Sequence, residues 1–373
     1  SLMVRAYLAM GRGIPRPELP VSYPGGYTEL RQAGVFGPVV KVDIESLYPS
    51  IMLAYNIGPA RDGAGVFLTL LRVLTERRLE AKERMRSARG AEWAYWNGRQ
   101  AALKRLINSF YGYLGYARAN FNDYRAAAQV TQVGQDIIKQ VVGWLEEAGA
   151  TVIEVDTDGA YFVPPPGAGP EFDSALVEDI NRRLPPGIRL AWEGRFAGML
   201  ALKAKNYILL TEDGSLVVKG SGLRSRRDER FLRQFVEEAA RAFFSGGPEA
   251  AAERYRYWLG QVEAGALRPK DFGRLESVTP KTFTSPNLRR LAQAAAGKHP
   301  GERIMVYQRA DGSLAPVDAY AGDEDRAYLK RRLYDMALRF RPLFKDPAEF
   351  DRLFPKPTAK PARPVPAEQL RLF

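Results

Sequence analysis

The chain has 373 residues and a formal charge of +12, with no cysteine and a single histidine. That length allows two or three compact substructures, and the absent thiols exclude disulfides and thiolate metal sites. The basic surplus favours polyanionic partners such as nucleic acid, and no apolar run approaches a membrane span. Residues 1–38 are rich in Gly and Pro and contain Tyr23-Pro24-Gly25-Gly26-Tyr27, whose glycines let backbone approach a phosphate closely. Ser1-Leu2-Met3-Val4-Arg5 lacks the sustained apolar stretch of a signal peptide. Val39, Val40 and Val42 read as a buried strand that ends on Asp43. A turn, Ser46-Leu47-Tyr48-Pro49, and a new apolar run follow at once.

From Val66, the apolar residues Leu68, Leu71, Leu74, Leu79 and Met85 punctuate a charged stretch at helical spacing. Arg89-Gly90 breaks this helix, and a second is expected over residues 91–112. Residues 126–148 read as an amphipathic helix. A strand over 151–155 then delivers Asp156-Thr157-Asp158-Gly159, followed by the apolar run Ala160-Tyr161-Phe162-Val163. A helix over 173–184 is stopped by Pro185-Pro186-Gly187, and 188–220 alternate as strands with a hairpin turn at 212–215. From 229 the pattern is mainly helical, with candidates at 231–244, 248–265 and 323–344 and a strand at 301–307. His299 sits in a Gly-Lys-His-Pro-Gly turn and reads as a solvated residue.

Two strands that end in carboxylates can hold hard divalent cations between them, and paired metals suit phosphoryl transfer. The residues that carry this pattern resemble a known family. Val42-Asp43-Ile44-Glu45-Ser46-Leu47-Tyr48-Pro49-Ser50-Ile51 resembles motif A of family B DNA polymerases. Lys104-Arg105-Leu106-Ile107-Asn108-Ser109-Phe110-Tyr111-Gly112 is similar to their motif B, and Asp156-Thr157-Asp158-Gly159 to their motif C. The three occur in the family's order, which makes the match far more specific than Asp-Thr-Asp-Gly alone.

The resemblance implies a role for each matched residue. Asp43 and Asp158 become the metal-bridging carboxylates, Asp156 a supporting acid, and Ile44 a further metal contact; two Mg²⁺ ions are implied, with Mn²⁺ as an alternative. Tyr48 resembles the gate that leaves no room for a ribose 2′-hydroxyl, and the N–H groups of Ser46 and Leu47 would hold triphosphate oxygens. Lys104 and Asn108, four residues apart on one helix face, would reach the incoming dNTP, with Tyr111 and Gly112 against the nascent base pair. Arg78 and Lys82 match the family's phosphate-binding pair, although Glu76-Arg77-Arg78 also aligns with Arg77 in that place. Tyr23, Gly25 and Gly26 resemble a template-contacting Tyr-x-Gly-Gly element. Lys205 and Tyr207 match a Lys-x-Tyr element that contacts primer–template DNA. Arg226 and Arg227 resemble a thumb-opening segment that is one residue shorter here, so their register stays open.

The implied fold is α+β, a right hand whose palm has an antiparallel sheet plus helices. The expected organisation is an N-terminal segment at 1–38, palm at 39–65 and 113–228, helical-hairpin fingers at 66–112, and a mainly helical thumb at 229–355. Residues 356–373 are expected as a tether and tail. Gln369, Leu370, Leu372 and Phe373 resemble the bacterial sliding-clamp-binding peptide, which implies a bacterial β clamp as partner. The expected function is templated extension of a primer by a monomeric cytoplasmic, nucleoid-associated bacterial enzyme without a 3′–5′ exonuclease, in repair, gap filling or translesion synthesis. The alternative is a catalytically silent polymerase-like module that binds DNA and the clamp.

Overall fold

The Gly- and Pro-rich start carries one helix, α1 (Leu2–Ala9), which anchors itself through buried Met3 and Tyr7, and two short strands, β1 (Glu29–Leu30) and β2 (Gly34–Phe36). The structure is a computed structural model that describes residues 2–225 and 227–357. Two compact units emerge: Ser1–Arg31 with Pro38–Arg195, and Gln32–Gly37 with Phe196–Phe373.

In the first unit, β3 (Val39–Ile44) buries Val39, Val40, Val42 and Ile44, which leaves Lys41 and Asp43 half-buried. Helices α2 (Leu47–Ala54), α3 (Val66–Ser87), α4 (Gly90–Leu114) and α5 (Tyr124–Glu147) follow. The strands β4 (Thr151–Asp156) and β5 (Gly159–Val163) form an antiparallel hairpin. The unit closes with α6 (Pro170–Arg183) and β6 (Leu190–Phe196). The sheet order is β1-β4-β5-β3-β6, so β3 and the hairpin strand β5 are central neighbours, paired antiparallel. Ile44, Ile51, Ile138, Val141 and Phe162 share one core, which ties α2 and α5 to these strands. Each such side chain contributes roughly 1.5–3 kcal/mol of apolar burial before entropy is counted.

Helices α3 and α4 are joined by only Ala88 and Arg89, which forces them to run back along each other. Phe67 and Phe110 meet near their base, with ring centroids 5.0 Å apart. Leu71 and Leu74 are buried as the periodicity predicts, but Leu79 is 56% exposed. Past Leu74 the partner face of α3 is filled by Ala81 instead. Helix α5 starts on Asp123, whose side chain accepts from the Ala126 N–H and from the Ala60 N–H.

The second unit opens with the strands β7 (Gly198–Lys203), β8 (Asn206–Leu210) and β9 (Leu216–Lys219). With β2 they make a four-stranded sheet in the order β2-β7-β8-β9. Next comes α7 (Arg230–Ala264), broken where Gly247 takes φ 72° ahead of Pro248, so the helices expected at 231–244 and 248–265 are two arms of one kinked element. Leu200, Leu202 and Ile208 of the sheet share a core with Phe231, Phe235, Tyr255 and Phe340. That shared core explains why the unit boundary runs through residues 113–228, which the sequence suggested as one palm segment.

The segment after 229 is mainly helical, but it carries more strand than the one expected at 301–307. After α8 (Pro269–Phe272), the strands β10 (Arg274–Ser277), β11 (Arg303–Gln308) and β12 (Leu314–Pro316) build a three-stranded antiparallel sheet. Between them lie α9 (Pro280–Thr284) and α10 (Arg289–Ala294), and α11 (Arg326–Ala337) and α12 (Pro347–Leu353) come after. Only β11 carries a strand pattern in its own sequence; β10 and β12 are set by pairing with it. No described helix is long and apolar enough to cross a membrane.

Candidate active site

The carboxylates meet because of strand register. Asp43 of β3 stands opposite Gly159 of β5, and the same Gly159 stands opposite Asp156 of β4. Asp156, Asp158 and Asp43 are therefore delivered to one end of three adjacent strands. A 2.6 Å backbone bond from the Ile44 N–H to the Asp158 carbonyl locks the motif A strand to the motif C turn. Gly159 permits this closeness, since a Cβ there would collide with the Val42 carbonyl and the Asp43 carboxylate.

The site is electrostatically uncomfortable as protein alone. Burial raises the Asp43 pKa to about 7, the Asp158 carboxylate adds to the rise, and Lys41 opposes it. Glu193 of β6, which sequence reasoning missed, and Asp156 contribute further negative potential. Nothing local marks Glu193; it arrives because β6 lies beside β3. Excess negative potential around a half-buried carboxylate suits a divalent cation, and the donors here are oxygens. No group of three or more His, Cys, Asp or Glu side chains that could hold a metal ion by itself is found among the described residues. Two carboxylates fit a hard cation that keeps waters and takes its remaining ligands from substrate phosphates.

Beside the carboxylates, Ser46 takes the left-handed conformation, φ 51°, and starts α2. A non-glycine residue there is uncommon, and strained backbone of this kind concentrates at functional sites. The first N–H groups of α2 have no carbonyl partner within the helix, which leaves them available to oxygen acceptors. Arg78 of α3 donates to Ser46 Oγ at 3.1 Å, and its Nε is buried without a hydrogen-bond partner. Burial lowers its pKa, while Glu45 acts the other way. Arg77 is exposed. Lys82 lies 3.6 Å from Glu45 across a partly exposed pair. The Ser46 hydroxyl, expected only as a bearer of main-chain N–H, is thus also a handle on α3.

Lys104 and Asn108 lie exposed on α4, four residues apart, and Gly112 is exposed one turn on. Tyr111 meets Tyr48, with ring centroids 4.3 Å apart. Burial raises the Tyr48 pKa to about 12, aided by the Asp158 charge, so the phenol stays neutral. Burial also raises Tyr111, with Tyr23 hydrogen bonding next in importance. Tyr23, Gly25 and Gly26 are therefore not remote: a Cβ on Gly26 would lie 2.6 Å from Tyr48 Oη and would collide with Thr157. Gln135 of α5 donates to the Gly25 carbonyl at 2.6 Å. Sequence reading had no signal for Gln135, one of several polar residues on an amphipathic helix.

The remaining expected DNA contacts lie in the second unit. Lys205 is exposed at φ 61° in the β7–β8 turn, and Tyr207 is buried on β8 opposite Lys219. Arg227 is exposed. The same unit has a recess of about 350 Å³ lined by Arg224, Arg230, Arg233, Gln234 and Glu237 over Val218, Leu223 and Val236. Three guanidinium groups against one carboxylate make it a place for an anion. Arg226 and the tail residues Gln369, Leu370, Leu372 and Phe373 lie outside the described residues.

Residues 60–160 match the family model for DNA polymerase family B. The chain is 34% identical over 330 residues to a DNA polymerase of Pyrococcus glycovorans, a match covering 79% of this chain and 42% of that protein. With DNA polymerase 1 of Pyrococcus abyssi it shares 35% over 225 residues, 53% of this chain and 29% of the relative. The chain spans less than half the length of these curated relatives. In fold it is similar to the family B DNA polymerase of the hyperthermophilic archaeon Pyrobaculum calidifontis, with a TM-score of 0.67 at 19% identity. That likeness covers 92% of this chain and 50% of the other. Its mixture of helices and antiparallel sheets is the α+β polymerase fold, and by sequence and by fold together the chain belongs with the family B DNA polymerases.

Proposed function

We propose that this chain is a DNA-templated DNA polymerase that extends a primer with dNTPs, and that Asp43 and Asp158 hold its divalent metals. The register that sets Asp43 opposite Gly159, directly after Asp158, is the observation that carries the reading. In the reaction, the primer 3′-oxygen bonds to the α-phosphorus, the bond to the β-phosphate breaks, and pyrophosphate leaves while the hydroxyl proton is lost. Mg²⁺ or Mn²⁺, bound there as two ions with Asp156 and the Ile44 carbonyl nearby, would supply Lewis-acid stabilisation of the attacking and leaving oxygens. The chain's own part is placement. Arg78, Lys82, Lys104 and Asn108 grip the triphosphate with the N–H groups of Ser46 and Leu47, and Tyr48 lies under the sugar.

In this reading residues 66–112 are the fingers, and motion of α4 carrying Lys104 couples correct pairing to chemistry. The nascent pair rests on Tyr111 and Gly112. Lys205, Arg226, Arg227 and the Arg224–Arg230–Arg233 recess contact DNA phosphates, which gives affinity without sequence preference, while Tyr207, buried on β8, supports the strand that follows Lys205. Primer extension with one dNTP at a time, opposite each template base, tests the proposal. Incorporation that follows the template supports it; untemplated addition or none at all would contradict it.

A bacterial β clamp is proposed as partner through Gln369, Leu370, Leu372 and Phe373, and the bacterial setting rests on that peptide alone. Deletion of residues 369–373 is expected to weaken clamp binding at least about tenfold, since two apolar anchors are lost. Surface-immobilised clamp reads this directly, and unchanged affinity would refute the partner.

A further inference from the structure

The Tyr48 ring is enclosed on several sides by other parts of the chain. On one side the Tyr111 ring packs tilted by 37°, with centroids 4.3 Å apart. On another is Gly134 of α5, so close that a Cβ there would lie 3.1 Å from Tyr48 Cε1. Over the hydroxyl end sits the Gly25–Gly26 segment, with room for nothing larger than glycine at Gly26. The next residue of α5, Gln135, holds that segment through its 2.6 Å bond to the Gly25 carbonyl. Consecutive residues of one helix thus back the ring and hold the segment that caps it. The helix itself is firmly seated, with Ile137, Ile138, Val141 and Val142 buried.

We infer that Gln135 is a positioning residue for sugar selection: by fixing the Gly25–Gly26 segment against the Tyr48 hydroxyl, it sets where the sugar-facing ring can stand. This rests on the reading of Tyr48 as the gate under the sugar. A ring that excludes a single oxygen atom works only if it cannot retreat by a few tenths of an ångström. That segment is the stop on its hydroxyl side; Tyr23 and Tyr27 anchor its two ends against the core, and Gln135 holds the glycines between them. Gln135 reaches neither the triphosphate-gripping residues nor the carboxylates, so losing it leaves the chemistry in place while loosening the selection.

The test measures kcat/KM for dNTP and for the matching rNTP in the wild-type chain and in Gln135→Ala, Gln135→Glu and Tyr48→Ala. Gln135→Glu keeps the shape of the side chain but turns the donor into an acceptor facing the Gly25 carbonyl. The inference expects both Gln135 variants to lose about fivefold or more in dNTP-over-rNTP discrimination, the worth of about one hydrogen bond. It also expects dNTP incorporation to stay within about threefold of wild type, with the wild-type melting temperature kept. Equal falls for dNTP and rNTP would reveal a merely structural role and overturn it. So would an unchanged ratio in both variants while Tyr48→Ala relaxes selection. If Tyr48→Ala itself leaves the ratio unchanged, the gate reading falls and the inference with it, a result distinguishable from the other two.

Discussion

Replacing Asp43 with Asn is expected to abolish primer extension and, in the same protein, to stabilise the metal-free fold at pH 8. The two effects have one cause. Burial and the Asp158 carboxylate raise the Asp43 pKa to about 7. Its ordinary value is near 3.9, so the fold disfavours its charged form. The sign follows from linkage: the penalty is absent below about pH 4, grows between about 4 and 7, and is complete above 7. Asn removes the charge but keeps the shape, so it relieves the penalty at pH 8 and changes little at pH 4. Thermal unfolding in EDTA at the two pH values reads this; equal shifts at both, or destabilisation at pH 8, would contradict it. On activity, loss of one metal-bridging carboxylate is expected to cost about 10³-fold or more, about 4 kcal/mol in the barrier. On the proposed reading, carboxylates gathered to hold cations disfavour their own charged forms when the cations are absent, a cost in stability accepted for chemistry.

The second large effect concerns the choice between Arg77 and Arg78, which alignment of Glu76-Arg77-Arg78 leaves open. Arg78 is half-buried against Ser46 at 3.1 Å with an unpaired Nε, whereas Arg77 is exposed. A buried guanidinium with unmet donors beside the α2 turn is poised for an anionic oxygen. Arg78→Ala is therefore expected to raise the KM for dNTP by about 10–100-fold, the worth of a charge-assisted hydrogen bond. Arg77→Ala is expected to stay within about threefold, as for an exposed charge. Steady-state single-nucleotide kinetics on both variants checks the pair, and a larger effect at Arg77 would reverse the assignment.

What could be read from the sequence was whatever the chain encodes locally. Val39, Val40 and Val42 form a run too apolar for anything but a buried strand, and the acids that follow it and the 151–155 strand stand out against that background. The α3–α4 hairpin was legible because Arg89-Gly90 interrupts a long helical pattern. Features made by distant residues coming together were not legible. Glu193 reaches the carboxylates only through the β3–β6 neighbourhood, and Gln135 meets Gly25 across 110 residues of chain. The strands β10 and β12 are short segments that become strands by pairing with β11, so only the middle strand of that sheet was legible. Helix α1 was overlooked because it is short and the stretch that follows it is rich in glycine and proline, and its apolar residues gain their meaning only once Met3 and Tyr7 are buried.

The central claim is that Asp43 and Asp158 act together, on adjacent strand ends, in templated nucleotidyl transfer. The most direct test is single-nucleotide primer extension with Mg²⁺ by the wild-type chain and by Asp158→Ala, with primer–template affinity measured for both. The account predicts template-directed incorporation by the wild type, its loss by about 10³-fold or more in the variant, and nearly unchanged DNA affinity. Extension by Asp158→Ala at the wild-type rate would contradict it, because chemistry would then be taking place away from the two strand ends that define the site.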